Sequence, residues 1–408
     1  MDINLDSQQR YSLITRRLEL QNGWCGQKLQ ELVANGKTHI GYFIPLIKFA
    51  DFIRAGGEVR ASPDGTRTLL FAHILQVTVE FIDAYAFLVN YRFPWDQVRH
   101  RTKYYKALIS AALKAVGVPM SAVSMVESSS YQMRPEFIVD FWKLCALCSQ
   151  QDARDTGAEV GATTMLSPML TPLLQELGEE YLGVDVEFGG TDQVHPRGIF
   201  NLGEQFLPEI GYKKRVHLMN ELLPSLTGGK MSSSHAPHTK IMFLDDAATV
   251  ESKIAGATCP PGCTQGNGIL PIVEHILMPV SEIRMNQHRA ELENGAGRPC
   301  AGRLGAFAAK GAPEGTLFSI GKTAGADEGH SHHNYFTFEE LESDYTAGLI
   351  EPEALKEAVA SALNHLLQPI RELYSEDGDW RCADKMGYPE DWSGLHEAAV
   401  LCPNGTGK

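Results

Sequence analysis

The sequence predicts an α/β protein built on a doubly wound parallel sheet, with a C-terminal α-helical domain behind it. VTVEFIDAYAFL (77–88) begins as a strand and continues as a helix, and EYLGVDVEFGGTDQ passes from a helix into a strand that ends at Gly189 and Gly190. Between them, KLCALCSQQDARDTGAEV has helical character. Such alternation is typical of parallel sheets covered by helices. Rossmann-like sheets of this kind bind nucleotides at the carboxyl ends of their strands.

Hydrophobic periodicity predicts the elements around this sheet. Residues 7–34 form one or two amphipathic helices broken near QNGWCG, and a further helix starts just after His39 and stops at Gly56 and Gly57. After Asp246, VESKIAGAT and GILPIVEHILMPV are helical. The Gly/Ala/Pro-rich residues 293–332 are expected to be loose, and residues 337–375 form two helices.

Changes in composition divide the chain into three parts. We expect a nucleotide-binding domain over residues 1–246 and a helical domain over residues 247–376. Residues 377–408, which are rich in Gly, Asp and Trp, are expected to form an irregular tail.

Charge and composition exclude several classes of protein. With 36 basic and 50 acidic residues, the net charge of −14 argues against a protein that grips nucleic acid over its whole surface. Tyr91–Lys106 and Gly211–His217 are candidate basic patches, although a solvated helix face or turn is the favoured interpretation of each. The amino terminus has mixed charge, and no apolar run approaches the ~20 residues of a membrane span. A cytoplasmic protein is therefore expected.

The cysteines and histidines of the sequence give only weak evidence for a metal site. Eight cysteines in a chain of 408 residues do not form a disulfide framework. Cys145 and Cys148 form a CxxC in an apolar helical stretch, where buried thiols are favoured over zinc, and Cys259 and Cys263 form a CxxxC. His330, His332 and His333 lie in GHSHHNYF, where a solvated loop is favoured over a metal site.

Two short segments carry candidate nucleotide chemistry. His39 and Gly41, at the start of the predicted helix, can face a triphosphate, although a lone histidine there is more often a cap or a surface residue. In LTGGKMSSSH (226–235), Lys230 can neutralise phosphate charge and the serines can donate to phosphate oxygens. Gly228 and Gly229 allow such a loop to move, and a ligand-free surface loop is the alternative.

The chain resembles class I aminoacyl-tRNA synthetases, because it carries HIGY, GGTDQ and GGKMSSS in this order with a helical tail behind them. HIGY is of the HIGH type, and KMSSS is of the KMSKS type. In particular, the chain resembles tyrosyl-tRNA synthetases of the archaeal and eukaryotic cytosolic type. The resemblance extends to PLIKFADFIRAG, GAEV, EEYLGVDVEFGGTDQ, FLPEIGYKKRVHLMN, GNGIL and LLQPIRELY, and it covers residues 10–375.

The resemblance implies an enzyme that uses ATP and Mg²⁺ to activate tyrosine as tyrosyl-adenylate and then esterifies the terminal adenosine of tRNA. Positioning and charge stabilisation would supply the catalysis, and Asp192 would bind the ribose hydroxyls. By match of motif, the catalytic residues are His39, Lys230 and Ser233. The ATP-binding residues are His39, Gly41, Gly190, Asp192, Lys230, Met231, Ser232, Ser233 and Ser234.

The resemblance also assigns a tyrosine site and partners. The tyrosine-binding residues are Gln132, Gln175, Leu182 and Gln193. Amide side chains offer a donor and an acceptor to a zwitterion or a phenol, but each glutamine can equally be an ordinary surface residue. The implied partners are tRNA, tyrosine and a second copy of the chain joined through the catalytic domain. No side chain is assigned as a metal ligand, and neither DNA nor a membrane is implied.

The tyrosine site departs from the family pattern in two places. The family has a strand of the type YWGTATTG before the histidine signature, whereas ELVANGKTHIGYF runs here from helix to histidine, so that a strand and one wall of the tyrosine site are expected to be absent. The family has the pattern YxxxQxxD on a helix. At the corresponding positions, Thr171 to Gly178, this chain keeps only the glutamine, Gln175. The lost carboxylate is the one that receives the phenolic hydroxyl, on which the discrimination of tyrosine from phenylalanine depends.

Two further departures lie elsewhere. RASPDGTRTLLFAHILQ (60–76) stands where the family passes directly from helix to strand, and Glu351 to Leu355 replaces the HPxDL that reads the anticodon. Two explanations stay open. Either a coding segment near residue 34 is skipped and an intron is translated over residues 60–76, or the chain is a diverged paralogue that keeps its ATP contacts while its tyrosine and anticodon sites decay.

The leading hypothesis is a tyrosine–tRNA ligase with an incomplete tyrosine site. The alternative from another class is a non-catalytic RNA-binding or scaffold protein derived from a synthetase. A third hypothesis is a small-molecule nucleotidyltransferase with an HxGH-type site, which the helical tail disfavours.

Overall fold

The computed structural model describes residues 6–16, 18–35, 37–41, 74–89, 93–118, 120–190, 198–220, 223–229, 236–293, 305–322 and 332–389. The chain forms two compact units. The sheet unit comprises Asp2–Ser110, Pro119–Glu221 and Glu376–Lys408, and the helical unit consists mainly of Ala111–Val118 and Leu222–Ser375. The expected functional boundary between residues 246 and 247 stays a prediction.

Eight strands lie in the described residues. They are β1 Glu19–Leu20, β2 Lys37–Gly41, β3 Ile74–Phe81, β4 Val123–Glu127, β5 Val186–Gly190, β6 Val216–Asn220, β7 Phe318–Gly321 and β8 His332–Tyr335. The first six form one sheet in the order β1-β6-β5-β2-β3-β4. All neighbours in this sheet are parallel except β1, which runs antiparallel to β6. The predicted parallel sheet is therefore confirmed.

The described helices follow the predicted alternation. Before β6 they are α1 Ser7–Thr15, α2 Gly23–Asn35, α3 Asp83–Val89, α4 Trp95–Val116, α5 Ser129–Gln132, α6 Pro135–Leu147, α7 Gln150–Arg154, α8 Ala158–Gly161, α9 Leu166–Met169, α10 Thr171–Tyr181 and α11 Ile199–Phe206. After β6 they are α12 Ala247–Ala255, α13 Leu270–Ile272, α14 Met278–Glu293, α15 Phe338–Thr346, α16 Pro352–Glu376 and α17 Gly378–Gly387, with a π-helical turn, Val273–Leu277, between α13 and α14. None of these helices is long and apolar enough to cross a membrane.

A hydrophobic cluster holds helix α10 in the sheet unit. It joins α6, α10 and α11 through Phe137, Leu144, Leu173, Leu177 and Phe206, all of which are buried. Burial of large apolar side chains contributes about 1.5–3 kcal/mol each. The cluster therefore stabilises the position of α10, the helix that carries Gln175.

The segment that contains His39 is a strand, and the prediction of a helix start there is wrong. Lys37–Gly41 forms β2, an interior strand that pairs in parallel with β3 from Lys37↔Ile74 to Gly41↔Thr78. On its other edge, Ile40 pairs with Val186 of β5. KTHIG itself thus occupies an interior place in the sheet, and the expected absence of the family's YWGTATTG-type strand, with its wall of the tyrosine site, stays a prediction. The helix expected up to Gly57 falls outside the described residues.

The loose stretch predicted over residues 293–332 contains a strand. Phe318–Gly321 forms β7, which pairs antiparallel with β8, and Phe318 and Ile320 are buried. His332 and His333 lie in β8 and are half-buried, so a solvated loop is the wrong description for them. This hairpin depends on pairing between segments distant in sequence, which local periodicity does not detect. His330 lies outside the described residues.

The carboxyl-terminal tail is not wholly irregular. Asp377 caps helix α17 by accepting a hydrogen bond from the backbone N–H of Trp380, at 2.9 Å. Trp380 is buried, and the carbonyl of Gly387 accepts from Nε of Arg101 on α4, at 2.7 Å. The prediction treated Gly and Asp as helix breakers. In the structure, an aspartate that caps the helix and a buried tryptophan stabilise it instead.

The cysteine prediction holds only in part. Cys145, on helix α6, is exposed and Cys148 is half-buried, so the CxxC pair is not a pair of buried thiols. Cys259 is buried and Cys263 is exposed. Cys145 lies at the flank of the buried face of α6, which is formed by Phe137, Asp140, Phe141 and Leu144.

Candidate active site

The sheet has its topological switch point between β2 and β5. From β2 the chain continues to β3 and β4 on one side, whereas β5 and β6 extend the sheet on the other side. Ligands of open parallel sheets bind at such a point, outside the carboxyl ends of the strands. Gly41 is the last residue of β2 and Gly190 is the last residue of β5. The glycines of the two signatures, Gly41 and Gly190, therefore end neighbouring strands at the switch point.

Only part of the predicted ATP site lies in the described residues. The backbones of His39 and Gly41 lie in β2, and Gly190 ends β5, where it pairs with Asn220. The position of the His39 side chain is not described. The remaining predicted contacts fall outside the described residues, namely Asp192, Gln193, Lys230, Met231, Ser232, Ser233 and Ser234.

The residues just before Lys230 are anchored within the helical unit by backbone hydrogen bonds. The N–H of Leu226 donates to the carbonyl of Thr239 at 2.9 Å, and the carbonyl of Leu226 accepts from Thr258 at 2.8 Å. The N–H of Gly268 in turn donates to the carbonyl of Thr258, at 2.8 Å. Both ends of the lysine and serine loop are thus held by one hydrogen-bonded scaffold.

Two glycines permit this anchoring because backbone approaches them closely. Gly228 has a φ of +82°, and a Cβ there would lie 2.2 Å from the carbonyl oxygen of Gly266. A Cβ on Gly268 would lie 2.3 Å from the carbonyl oxygen of Leu226. Gly266 and Gly268 are the glycines of GNGIL, one of the segments that carry the family resemblance. The glycines of GNGIL therefore allow the backbone at Leu226 and Gly228, just before the lysine loop, to pack closely against this segment.

We expect Gly268→Ala to destabilise the helical unit by about 1–3 kcal/mol, as overpacking does elsewhere, because the colliding Leu226 atoms are backbone and cannot rotate away. The free energy of unfolding in urea measures this effect. Gly256→Ala is the matched control, since a Cβ there meets its nearest atom at 3.6 Å. Equal stability of the two variants would contradict the prediction.

Gln132 lies at the carboxyl end of β4, on the short helix α5, and is buried. Its Nε2 donates to the carbonyl of Leu174 on α10, at 3.3 Å. Its Oε1 has no hydrogen-bond partner in the part of the chain that the structure describes. A buried amide acceptor costs free energy unless it is satisfied. A ligand ammonium or hydroxyl group would supply that missing donor.

The other predicted tyrosine contacts lie along α10. Gln175 is buried and its Nε2 donates to Oε1 of Glu187 at 3.5 Å, while Leu182 is half-buried just beyond the helix. Thr171 is buried, and its hydroxyl donates to the carbonyl of Pro168 at 2.7 Å. Gly178 is buried one turn beyond Gln175. Helix α10 therefore keeps the place of the family's YxxxQxxD helix without its terminal side chains.

Asp83 was not singled out from the sequence, and it ties together the ends of β3 and β4. Its carboxylate accepts from the hydroxyl of Ser128 at 2.7 Å and from the N–H of Ser129 at 2.8 Å. It also accepts from the N–H of Ala84 at 2.9 Å. Since these residues precede Gln132 on α5, Asp83 acts as a positioning residue for that glutamine.

A second group missed from the sequence is a cluster of buried ionisable side chains. Glu176 and Glu179 of α10, Glu187 of β5 and His217 of β6 are each at most 1% exposed. Burial, followed by the charge of Glu179, raises the pKa of Glu176 well above its ordinary value. Burial and the charges of Glu179 and Glu176 raise the pKa of Glu187 in the same way. The sequence did contain one indication of this cluster, because Glu187 lies inside a strand that was predicted to be buried.

The helical unit contains a cavity of about 560 Å³ beside the segment that replaces HPxDL. Lys322, His332, Glu353, Glu357 and His365 are among its lining residues. Burial, then the charge of Arg284, lowers the pKa of His365, which favours the neutral imidazole at pH 7. Two carboxylates and one lysine are thus among these lining residues, a charge balance that does not favour phosphate binding.

A parallel sheet with its switch point between β2, which ends at Gly41, and β5, which ends at Gly190, is typical of the nucleotide-binding class that includes class I synthetases. The family model described as tRNA synthetases class I (W and Y) matches residues 34–296. The chain belongs to this family, and the resemblance inferred from the signatures is confirmed.

Relatives and solved structures agree with this assignment. The cytoplasmic tyrosine–tRNA ligase of Saccharomyces cerevisiae is 35% identical over 358 residues, which is 87% of this chain and 78% of the yeast protein. That of Danio rerio is 36% identical over 405 residues, covering 96% of this chain and 65% of its own length. The crystal structure of the Archaeoglobus fulgidus tyrosyl-tRNA synthetase complexed with L-tyrosine is 26% identical, with a TM-score of 0.68 over 90% of this chain and 99% of that chain.

The chain spans 61–65% of the length of the vertebrate relatives that it matches.

Proposed function

We propose that the chain is a tyrosine–tRNA ligase that uses ATP and Mg²⁺ and acts in the cytoplasm. The observation that carries the proposal is that β2, which ends at Gly41, and β5, which ends at Gly190, are neighbours at the switch point of the sheet. The cytoplasmic tyrosine–tRNA ligases among its relatives, 35% to 36% identical to it, support tyrosine as the amino acid.

The reaction consists of two displacements. A carboxylate oxygen of tyrosine forms a bond to the α-phosphorus of ATP, and the bond from that phosphorus to the bridging oxygen breaks, releasing pyrophosphate. A hydroxyl of the terminal adenosine of tRNA then attacks the adenylate carbonyl, and AMP leaves. Negative charge develops on the pyrophosphate in the first step, so Lys230 and the hydroxyls of Ser232, Ser233 and Ser234 act as its stabilising groups. Mg²⁺, when present with ATP, would supply further neutralisation of this charge.

The protein's main task in this reaction is to hold the reactants in line. The carboxyl ends of β2 and β5 provide room for the nucleotide, because Gly41 and Gly190 carry no side chain. The buried, unsatisfied Oε1 of Gln132 fits a donor group of the amino acid, and α10 presents Gln175 nearby. We propose Asp192 for the ribose hydroxyls and Gln193 and Leu182 for tyrosine.

Pyrophosphate exchange into ATP tests the proposal on the purified full chain. Exchange that depends on tyrosine supports a ligase, and charging of tRNA with tyrosine then completes the test. A chain that is folded by circular dichroism but exchanges no pyrophosphate with tyrosine would instead be a non-catalytic, synthetase-derived protein. Exchange that depends on another small acid would favour the nucleotidyltransferase hypothesis.

The helical unit is proposed to bind tRNA near the anticodon. Its cavity lies beside Glu353 and Ala354, which stand where the family reads the anticodon with HPxDL. Lys322, Glu353 and Glu357 are among the cavity's lining residues. Recognition by base edges rather than by phosphate contacts is what this arrangement supports.

A homodimer through the sheet unit is proposed from an exposed apolar surface. Val139 and Trp142 lie one turn apart on α6 and are 46% and 64% exposed, and Leu166 on α9 is 69% exposed. Met133, Leu147 and Met165 add to the exposed apolar residues of these segments. Large exposed apolar side chains grouped on neighbouring segments mark a protein interface more often than a free surface.

We expect Trp142→Glu to convert the dimer into a monomer, because a carboxylate would have to be desolvated at the centre of the apolar surface. Light scattering during size-exclusion chromatography would then give a mass of 44.9 kDa instead of twice that value. Trp24→Glu serves as the control, since Trp24 is also exposed but lies on α2. A dimer that survives Trp142→Glu, or a wild-type monomer at micromolar concentration, would refute the proposed interface.

A further inference from the structure

The cluster formed by Glu176, Glu179, Glu187 and His217, here called the glutamate–histidine cluster, has no role in the proposed reaction. One potential ligand atom from each of the four side chains lies within 4.8 Å of the corresponding atoms of the other three. The four residues come from α10, β5 and β6, so they join three elements of the sheet unit. Three carboxylates that converge in the interior need compensating positive charge.

Glu176 is the clearest sign that something is missing from the cluster. It is fully buried, and neither of its carboxylate oxygens has a hydrogen-bond partner among the described residues. Oε2 of Glu187 also lacks a hydrogen-bond partner there. The Glu176 carboxylate fits only because residue 203 is glycine, since a Cβ at Gly203 would lie 1.8 Å from Oε2 of Glu176. Buried polar groups in native proteins are almost always satisfied.

The contacts of His217 place one ring nitrogen at Gln21 and the other at the carboxylates. Nε2 of Gln21 donates to Oδ1 of Asn201 at 2.8 Å, which leaves Oε1 of Gln21 to accept from Nδ1 of His217 at 2.7 Å. Nδ1 therefore donates to Gln21, and Nε2 lies 2.7 Å from Oε1 of Glu179. Two acceptors at this distance require a cation or an additional proton between them. A histidine that donates through one nitrogen and ligates through the other is typical of metal sites.

The one arginine at the cluster's edge does not meet this need. Nε of Arg215 lies 4.0 Å from Oε2 of Glu179, and it donates instead to the carbonyl of Val184, at 2.9 Å. Its Nη1 donates to the carbonyl of Lys213, and its Nη2 pairs with Glu180 outside the cluster. Nε2 of His217 lies 3.7 Å from Oε2 of Glu187, so no described basic group is within hydrogen-bonding distance of the Glu176 carboxyl group or of Oε2 of Glu187.

We propose that the glutamate–histidine cluster is a structural site for one divalent transition-metal ion, with Zn²⁺ as the favoured ion. Its ligands are carboxylate oxygens of Glu176, Glu179 and Glu187 and Nε2 of His217. Imidazole nitrogen and carboxylate oxygens bind Zn²⁺ at about 2.0–2.2 Å, commonly in a four-coordinate structural site. The ligand atoms, now up to 4.8 Å apart, would draw together around the ion. The ion would join α10, which carries Gln175, to β5 and β6.

Metal analysis and calorimetry on the full chain test this proposal independently of catalysis. We expect apo-protein to bind one equivalent of ZnCl₂ and its melting temperature to rise on binding, because the ion binds only the folded cluster. Co²⁺ in its place should give the visible absorption of a four-coordinate ion. Affinity should increase with pH, since the ligands must be deprotonated. Failure of a folded apo-protein to bind stoichiometric Zn²⁺ would overturn the proposal.

Variants separate this site from other Zn²⁺ ligands. Glu176→Gln should abolish stoichiometric binding, and Gln21→Ala should weaken it by about 10–100-fold, as losses of outer ligand partners do. Glu209→Gln, which changes an exposed carboxylate, should leave the affinity unchanged, as should Cys145→Ser combined with Cys148→Ser. Binding that survives Glu176→Gln but disappears in the cysteine variant would overturn the proposal. The proposal would also be overturned if Zn²⁺ did not change the stability of the wild type and Glu176→Gln made the chain more stable. That result would indicate a protonated carboxyl group in place of an ion.

Discussion

Replacing Lys230 by alanine is expected to lower the rate of tyrosine-dependent pyrophosphate exchange by about 10²–10³-fold, the usual effect of removing one group that stabilises developing charge. Lys230 follows a segment that is hydrogen-bonded to Thr239 and Thr258 through Leu226. Lys230 is expected to interact with negative charge that appears only as pyrophosphate departs. The loss should therefore appear equally in kcat and kcat/KM for ATP, with KM unchanged.

Lys310→Ala is the matched control for this experiment, because Lys310 is an exposed lysine of the helical unit outside the signature loop. Its exchange rate should equal that of the wild type. Steady-state exchange over a range of ATP concentrations separates kcat from KM. An exchange rate for Lys230→Ala within a few-fold of the wild type would remove the lysine from the mechanism.

Restoring a carboxylate with Gly178→Asp is expected to raise the preference for tyrosine over phenylalanine by about 10–100-fold in kcat/KM. A hydrogen bond to a charged group contributes about 1.5–3 kcal/mol, and 1.4 kcal/mol corresponds to a factor of ten. Gly178 is buried on α10, one turn beyond Gln175, where the family pattern YxxxQxxD has its aspartate. The phenolic hydroxyl of tyrosine would donate to the new carboxylate, and phenylalanine has no such donor.

Gly178→Asn tests whether charge, rather than volume, produces the change, because it adds the same number of heavy atoms without a charge. Its preference for tyrosine should rise less than that of Gly178→Asp. Competition between tyrosine and phenylalanine in the exchange assay measures the ratio directly. An unchanged ratio in a folded, exchanging Gly178→Asp variant would mean that this helix does not line the tyrosine site.

Several elements could be predicted because their signals are local. The strand and helix of VTVEFIDAYAFL correspond to β3 and α3, and VEFGG corresponds to β5. The two helices expected over residues 337–375 are α15 and α16. Periodicity of two or 3.6 residues reports which face of a segment is buried, and that information is contained in the segment itself. The family signatures likewise consist of neighbouring residues.

Other features depended on contacts that no local pattern contains. His39 was expected at a helix start, but KTHIG pairs with β3 and β5 and so becomes an interior strand. Helix α17 was expected to be irregular, but Trp380 is buried when the helix packs beside α4. In each case the outcome depends on a partner segment far away in sequence, which overrides local propensity.

The sequence by itself determined the α/β class, the order of the signatures and the family, because each of these is expressed by residues close together in the chain. Only the tertiary structure decided that β2 and β5 are neighbours, that the GNGIL segment packs against the backbone just before the lysine loop, and that Glu176, Glu187 and His217 meet in the interior. The physical reason is that strand pairing and burial are properties of distant segments brought together, and the free energy of a buried charge depends on those neighbours.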